Sequence, residues 1–269
     1  MLNDLPALTD GLPSLYREVV PLTPERHRGL ALRTDVGYGF AGRSHTLPIT
    51  IDEFAAVQRD YPILFTTGER PAPAALLGLD PMANPYVDGD GRWKAGAYVP
   101  AYVRRYPFLL IRHSRDSDNF VLCVDRTAPH VAGTQFADAE TSAAAGATSA
   151  NPLFDDKGAT KLTAQIMQFC VGYEQGIERT RAFGEELQRL DLLVTPTIRL
   201  SKGGRSVDLN GFRAVSEERL AKLDDATLAR LARSGALSAI HAHLFSMQTL
   251  GQVEQLGSSI DTLAKRRAN

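Results

Sequence analysis

Two apolar runs, residues 106–113 (YPFLLIRH) and 119–125 (NFVLCVD), are joined by the short polar stretch SRDSD. A linker this short with turn chemistry permits an antiparallel hairpin, because a parallel return needs a dozen or more residues. Neither run alternates apolar with polar side chains. Both faces of the pair must therefore be covered, and a central place in a sheet is expected. The rest of the chain has to supply those covering layers. At 269 residues and 43% hydrophobic content it has the material for one large domain or two small ones.

The main covering element is legible as a helix over 160–190. Leu162, Ile166, Phe169, Tyr173, Ile177, Phe183, Leu187 and Leu190 recur near 3.6-residue spacing. Gly172, Gly176 and Gly184 each weaken a helix by about 1 kcal/mol relative to Ala, so another backbone is expected to approach them closely. Other elements follow from local signals. HRGLALR (27–33) reads as a strand, and the glycine-spaced VGYGFAGRSH as a bend. Thr50 with Asp52 and Glu53 opens a helix that ends before Pro62. PILFTTG (62–68) and APAALLGL (72–79) read as paired strands, and VDGDG sets a hairpin between Tyr86-Val87 and Arg92-Trp93-Lys94. VTPTIRL (194–200) and VDLNGFRAV (207–215) read as a hairpin about KGGR. Ser216 and Asp224 open short helices, Gly235 stops the second, and Ile240–Leu250 adds a last one.

This order, strands first and then helices without regular alternation, predicts an α+β fold. The expected architecture is a mainly antiparallel sheet built from hairpins, packed by one long helix and a C-terminal helical segment. Residues 1–25, rich in proline, read as an arm, 26–250 as a single domain, and 251–269 as a tail. The Ala, Ser, Thr and Gly-rich stretch 133–152 reads as a mobile loop.

Composition removes several function classes. The formal net charge is −1, so no global field recruits nucleic acid or anionic membrane, and no nucleic-acid partner is expected. No window reaches the roughly 18 apolar residues of a membrane span. The N-terminal stretch lacks the pattern of a secretory signal, which points to the cytoplasm; the alternative is the cell surface by a route that needs no signal. Cys123 and Cys170 sit in a strand and a helix pattern and read as small buried hydrophobes.

Catalytic motifs are missing. GYGFAG (37–42) matches the glycine spacing of a dinucleotide loop but opens no helix, so it reads as a bend and no cofactor is expected. His241 and His243 are two apart on a helix and point to different faces, so no metal is expected there. LFDDKGA (153–159) is too short for a calcium loop and reads as a turn before the long helix.

Two groups of side chains remain as candidates. Trp93, Tyr98, Tyr102, Arg104, Arg105 and Tyr106 form the densest patch of aromatic and guanidinium groups. Such a surface suits a peptide or a glycan, since guanidinium forks pair with carboxylates and stack on rings. The alternative is that the rings are core and the arginines pair with local acids. If the segment is extended, Tyr102, Arg104 and Tyr106 share one face. Tyr106-Pro107 has a bias towards cis from its aromatic residue, against the usual trans default. The second group is a polar cluster of His113, Asp125 and His130 near strand ends, a set that could work in acid–base chemistry if it converged.

The stretches WKAGAYVPAYVRRYPF (93–108), VLCVD (121–125), LFDDKGAT (153–160) and VDLNGFRAVSEERLAKL with LARSGALSAIHAHLFSM resemble the SapC family of bacterial proteins over about residues 25–250. The resemblance implies a link to a paracrystalline surface layer, from which the family is named. It also implies genetic association with outer-membrane receptors, flavin-dependent halogenases and cupin-like oxygenases. The peptide-transport permease label given to some members does not suit a chain without a membrane span. The family brings no catalytic residues to carry over. Together these readings lead to the expectation of a non-catalytic binding or assembly protein of a bacterial envelope or uptake system, with a protein or peptide partner or a second copy of itself. The alternative is an enzyme or accessory subunit acting on peptides or small aromatic metabolites.

Overall fold

The hairpin that constrains the fold is present. Phe108–Arg112 pairs antiparallel with Phe120–Asp125 in the register Phe108↔Val124 to Arg112↔Phe120. The computed structural model describes residues 11–112, 120–132, 150–202 and 205–253. They divide into two compact units. The first is drawn from the residues up to Gly37 and from Val103 to Glu174, and the second from Tyr38–Tyr102 and from Gln175 onward.

In the first unit the sheet order is Val19–Pro21, Phe120–Asp125, Phe108–Arg112. Phe120–Asp125 is thus central as expected, but Phe108–Arg112 is an edge among the described residues. Its continuous apolar run reflects cover on its faces rather than an inner position. That cover is a core of Leu30, Phe108, Leu110, Leu122, Val124, Leu153, Phe154 and Cys170, joined by Leu162 and Ile166. Part of the proline-rich arm is also held, since Val19–Pro21 pairs with Cys123–Asp125. A second sheet sets Ala31–Arg33 between Val131–Ala132 and Ala150–Pro152. The end of the expected mobile loop, 150–152, is therefore a strand, because Leu32 and its neighbours offer it a backbone ladder. Residues 133–149 lie outside the described residues. The acids of LFDDKGA form the expected turn, with Phe154–Asp155 pairing back on Gly158–Ala159.

The long helix runs over Lys161–Arg189. Its first half belongs to the first unit and its second half to the other. The expected approach of another backbone is met at one of its three glycines, Gly184, while Gly176 is crowded by the side chains of Asp52 and Thr50. A Cβ at Gly184 would stand 2.3 Å from the Pro71 carbonyl oxygen, and one at Gly176 would stand 3.0 Å from Asp52 Oδ2, whereas Gly172 faces open space.

The second unit is built on a five-stranded antiparallel sheet in the order Leu193–Val194, Phe212–Val215, Ile63–Thr66, Pro73–Leu76, Thr46–Pro48. The expected 62–68/72–79 pair is its centre. The expected single hairpin over 194–215 is divided instead. Ile198–Lys202 pairs with Arg205–Leu209 as a separate ribbon, while Leu193–Val194 and Phe212–Val215 join the larger sheet. Gly211, at a positive φ of 77°, redirects the chain between them. The expected helix after Thr50 opens as a 3₁₀ turn, Ile51–Glu53, continues as the α-helical turn Phe54–Val57, and ends before Pro62. C-terminal helices span Asp225–Ser234, capped by Asp224 and stopped by Gly235 in the left-handed region, and Ala236–Ser246. His243 is fully buried in the core.

Candidate functional site

The segment carrying Trp93 to Tyr106 is not an exposed aromatic surface. Ala101–Arg105 is one turn of helix rather than extended chain, so Tyr102, Arg104 and Tyr106 do not share a strand face. The Tyr106-Pro107 bond is cis. Trp93, Tyr102, Arg105 and Tyr106 are buried, Tyr98 is half-buried and Arg104 alone of the six is exposed. The physical reason is packing: rings this large contribute most when removed from water, with their polar ends satisfied.

Trp93, Tyr98 and Tyr102 belong to the second unit. There Trp93 Nε1 donates to the Tyr61 hydroxyl at 3.1 Å, which in turn donates to the Tyr98 carbonyl. Tyr38 meets the Trp93 ring edge-on and Tyr86 stacks on it, with centroids 5.7 and 6.3 Å away. Burial pushes the Tyr61 phenol far above its ordinary range, and brings Tyr86 up to about 12. Glu53 closes this group from below. Its buried carboxylate accepts from the Thr50 amide at 2.9 Å and hydroxyl at 3.0 Å, the Tyr98 hydroxyl at 3.1 Å and the Ala101 amide at 2.6 Å. One side chain thereby caps both the 3₁₀ turn after Thr50 and the helix at Ala101.

Arg104, Arg105 and Tyr106 belong to the first unit. The Arg105 guanidinium lies between two phenol rings, 4.4 Å from the centroid of Tyr173 and 5.6 Å from that of Tyr16. Its Nη1 donates to Glu174 Oε1 at 3.1 Å. Arg104 stands over Phe169 at 5.2 Å. Arg105 thus pairs with a local acid and Arg104 lies on a ring.

Of the polar cluster, His113 lies outside the described residues. Asp125 is fully buried and accepts from the Arg17 amide at 2.8 Å, the Glu18 amide at 3.3 Å, and the Thr127 amide and hydroxyl at 3.0 and 2.8 Å. The Tyr106 hydroxyl also bonds to it. Asp125 therefore anchors the start of the Val19–Pro21 strand. His130 meets the Tyr106 ring edge-on at 5.7 Å, and burial lowers its pKa.

A cleft of about 310 Å³ opens beside Arg104, lined by Leu32, Phe108, Ile166 and Phe169 with Tyr106, Arg105, Gln165 and Cys170. Only Arg104, Arg105 and Tyr106 of this lining were expected as site residues. Ile166 and Phe169 read as part of an apolar helix stripe, and nothing in that periodicity distinguishes a residue facing a core from one facing a cleft. Burial raises Cys170 to about 12, and burial with the adjacent Asp125 raises Tyr106 further. Both groups are protonated and poorly nucleophilic at neutral pH. Cys123 and Cys170 are free and buried. Among the described residues, no group of three or more His, Cys, Asp or Glu is arranged to hold a metal ion, and no helix is long and apolar enough to cross a membrane.

In comparison with known proteins, the family model described as SapC matches residues 22–253. No curated protein and no solved structure matches the chain.

Proposed function

The chain belongs to the SapC family, and on that premise we propose that it is a non-catalytic binding or assembly protein of a bacterial envelope or uptake system. The observation that carries the reading is the character of the cleft beside Arg104. It is apolar with guanidinium groups, and its two groups able to act as nucleophiles, Cys170 and Tyr106, are held in their protonated forms. Such a lining recognises and holds; it does not attack. The envelope setting rests on the family's link to a surface layer.

The alternative, an enzyme or accessory subunit acting on peptides or small aromatic metabolites, asks Asp125 to serve as a base. Its carboxylate already accepts from the Arg17, Glu18 and Thr127 amides and the Thr127 hydroxyl, so it would have to give up the bonds that hold the arm. The binding reading is tested by native mass spectrometry and cross-linking of the full chain, alone and with bacterial envelope extract. A stoichiometric self-complex or partner complex that Arg104→Glu weakens is expected. A monomer with no stoichiometric partner would overturn it.

A further inference from the structure

We propose that Asn210-Gly211 is a site of spontaneous covalent modification, where the Gly211 amide nitrogen attacks the Asn210 side chain and leaves isoaspartate at the joint between the Ile198–Leu209 ribbon and the larger sheet. The inference goes beyond the binding reading and does not involve the cleft. This is the one Asn-Gly pair in the sequence. Both residues are exposed. Neither the Asn210 side chain nor the Gly211 amide has a hydrogen-bond partner among the described residues. A Cβ at Gly211 would meet nothing within 4 Å, so there is room for a ring to close, and glycine puts no side chain in the way of its own nitrogen. In the step, the Gly211 N–H gives its proton to hydroxide and the nitrogen bonds to Cγ of Asn210. The Cγ–Nδ2 bond breaks, and the nitrogen departs as ammonia after taking a proton from water. A five-membered imide remains. Water that opens it at the main-chain carbonyl routes the chain through Cγ, which is isoaspartate; opening at Cγ gives aspartate.

Comparable positions are shielded, each in its own way. Asn84 and Asn151 precede Pro85 and Pro152, whose nitrogens have no proton to give up. Asn84 is also buried, with Nδ2 donating to the Ala41 carbonyl and Oδ1 accepting from the Tyr86 amide, both at 3.0 Å. In Asp90-Gly91 the Gly91 amide already donates to the Asp88 carbonyl at 3.0 Å. In Asp88-Gly89 the carboxylate is held by the Asp90 and Arg92 amides at 2.9 and 2.8 Å. Position gives the modification its effect. Leu209 stands opposite Ile198 in the ribbon, and Phe212 stands opposite Thr66 in the sheet, packed in a core with Leu64 and Leu76. Isoaspartate adds one methylene to the main chain between Leu209 and Phe212, where Gly211 at a φ of 77° turns it. Strand register has no slack for an extra atom when one face is buried. The joint between ribbon and sheet therefore loosens as the molecule ages.

The test ages the full chain in mildly alkaline and mildly acidic buffer and maps its peptides by mass spectrometry, with electron-transfer fragmentation to tell isoaspartate from aspartate. Conversion at Asn210, read as the mass gained when the side-chain amide becomes an acid, is expected to be at least about tenfold faster than at Asn84 or Asn151, a barrier difference of about 1.4 kcal/mol. It should be faster in the alkaline sample, with isoaspartate the larger product. Asn210→Gln, whose longer side chain has to close a six-membered ring, should suppress conversion. Freshly purified Asn210→Asp carries the new charge without the extra methylene. The isoaspartyl fraction, separated by ion exchange, is expected to melt at a lower temperature than that variant. An Asn210 that stays intact, or one that converts no faster than Asn84 and Asn151, would overturn the modification site. An isoaspartyl fraction that melts with Asn210→Asp would overturn the loosening of the joint.

Discussion

His243 Nε2 accepts a hydrogen bond from the Val215 amide at 3.0 Å, while Nδ1 meets the Ile63 carbonyl at 2.8 Å. The imidazole thus bridges two neighbouring strands of the larger sheet, and it must be neutral to accept from Val215. Burial brings its pKa down to about 4. An unfolded histidine takes up a proton near pH 6.5, so between pH 6.5 and 4 the unfolded chain carries more protons and stability falls as pH falls. The loss is on the order of 3 kcal/mol across that window. Urea midpoints measured from pH 7 to pH 4 should decline, and His243→Gln should flatten the slope while lowering stability at pH 7. His27 and His130, also lowered by burial, leave a residual slope of the same sign. A pH-independent midpoint in the native protein would contradict this account.

Glu53 offers a sharper test of polar saturation. Its two oxygens accept four donors, and Gln at this position has only one acceptor atom and sets an N–H₂ against donors. Glu53→Gln should cost about 2–3 kcal/mol in denaturant melts, the scale of buried groups left without partners. Asp52→Asn is the control, because its partner Arg179 is about half exposed and such pairs contribute little.

The three helix glycines separate propensity from clash. Gly184→Ala gains about 1 kcal/mol in helix propensity but drives a methyl group into the Pro71 carbonyl, and overpacking of this kind costs about 1–3 kcal/mol or more. The net change should be destabilising. Gly172→Ala meets nothing within 4 Å and should raise the melting temperature. If both variants shift the same way, backbone approach is not what places Gly184.

Arg104 and Arg105 should respond unequally. Arg105→Ala takes the guanidinium from half-buried Glu174 and leaves a gap between two phenol rings, a change of about 2–3 kcal/mol. Arg104→Ala, at an exposed position, should change stability by under about 1 kcal/mol. Thermal or chemical melts of the two variants decide this, and equal losses would mean that Arg104 too is part of the packing.

Much of the fold was legible because its signals are local. The hairpin at 106–125, the pair at 62–79 and the helix of Lys161–Arg189 each rest on periodicity and turn residues within one stretch of chain. The site was less so. Whether Arg105 faces solvent or lies between Tyr16 and Tyr173 depends on residues distant in sequence, and no spacing around Arg105 encodes them. The same holds for Glu53: its capping of Thr50 follows a local pattern, but its hold on Ala101 spans the chain between them. The division of 194–215 between two sheets was missed because a glycine turn marks a reversal without saying which strand each arm will join.

The interleaving of the two units has a consequence for biosynthesis. By the time a ribosome has added Glu174, every residue assigned to the first unit has been made. Tyr38–Tyr102, synthesised earlier than most of that unit, must wait for Phe212–Val215 and His243 before its strands are complete. The segment made early therefore finishes late, and Ile63–Thr66 is a sticky edge on the nascent chain that a chaperone would have reason to shield.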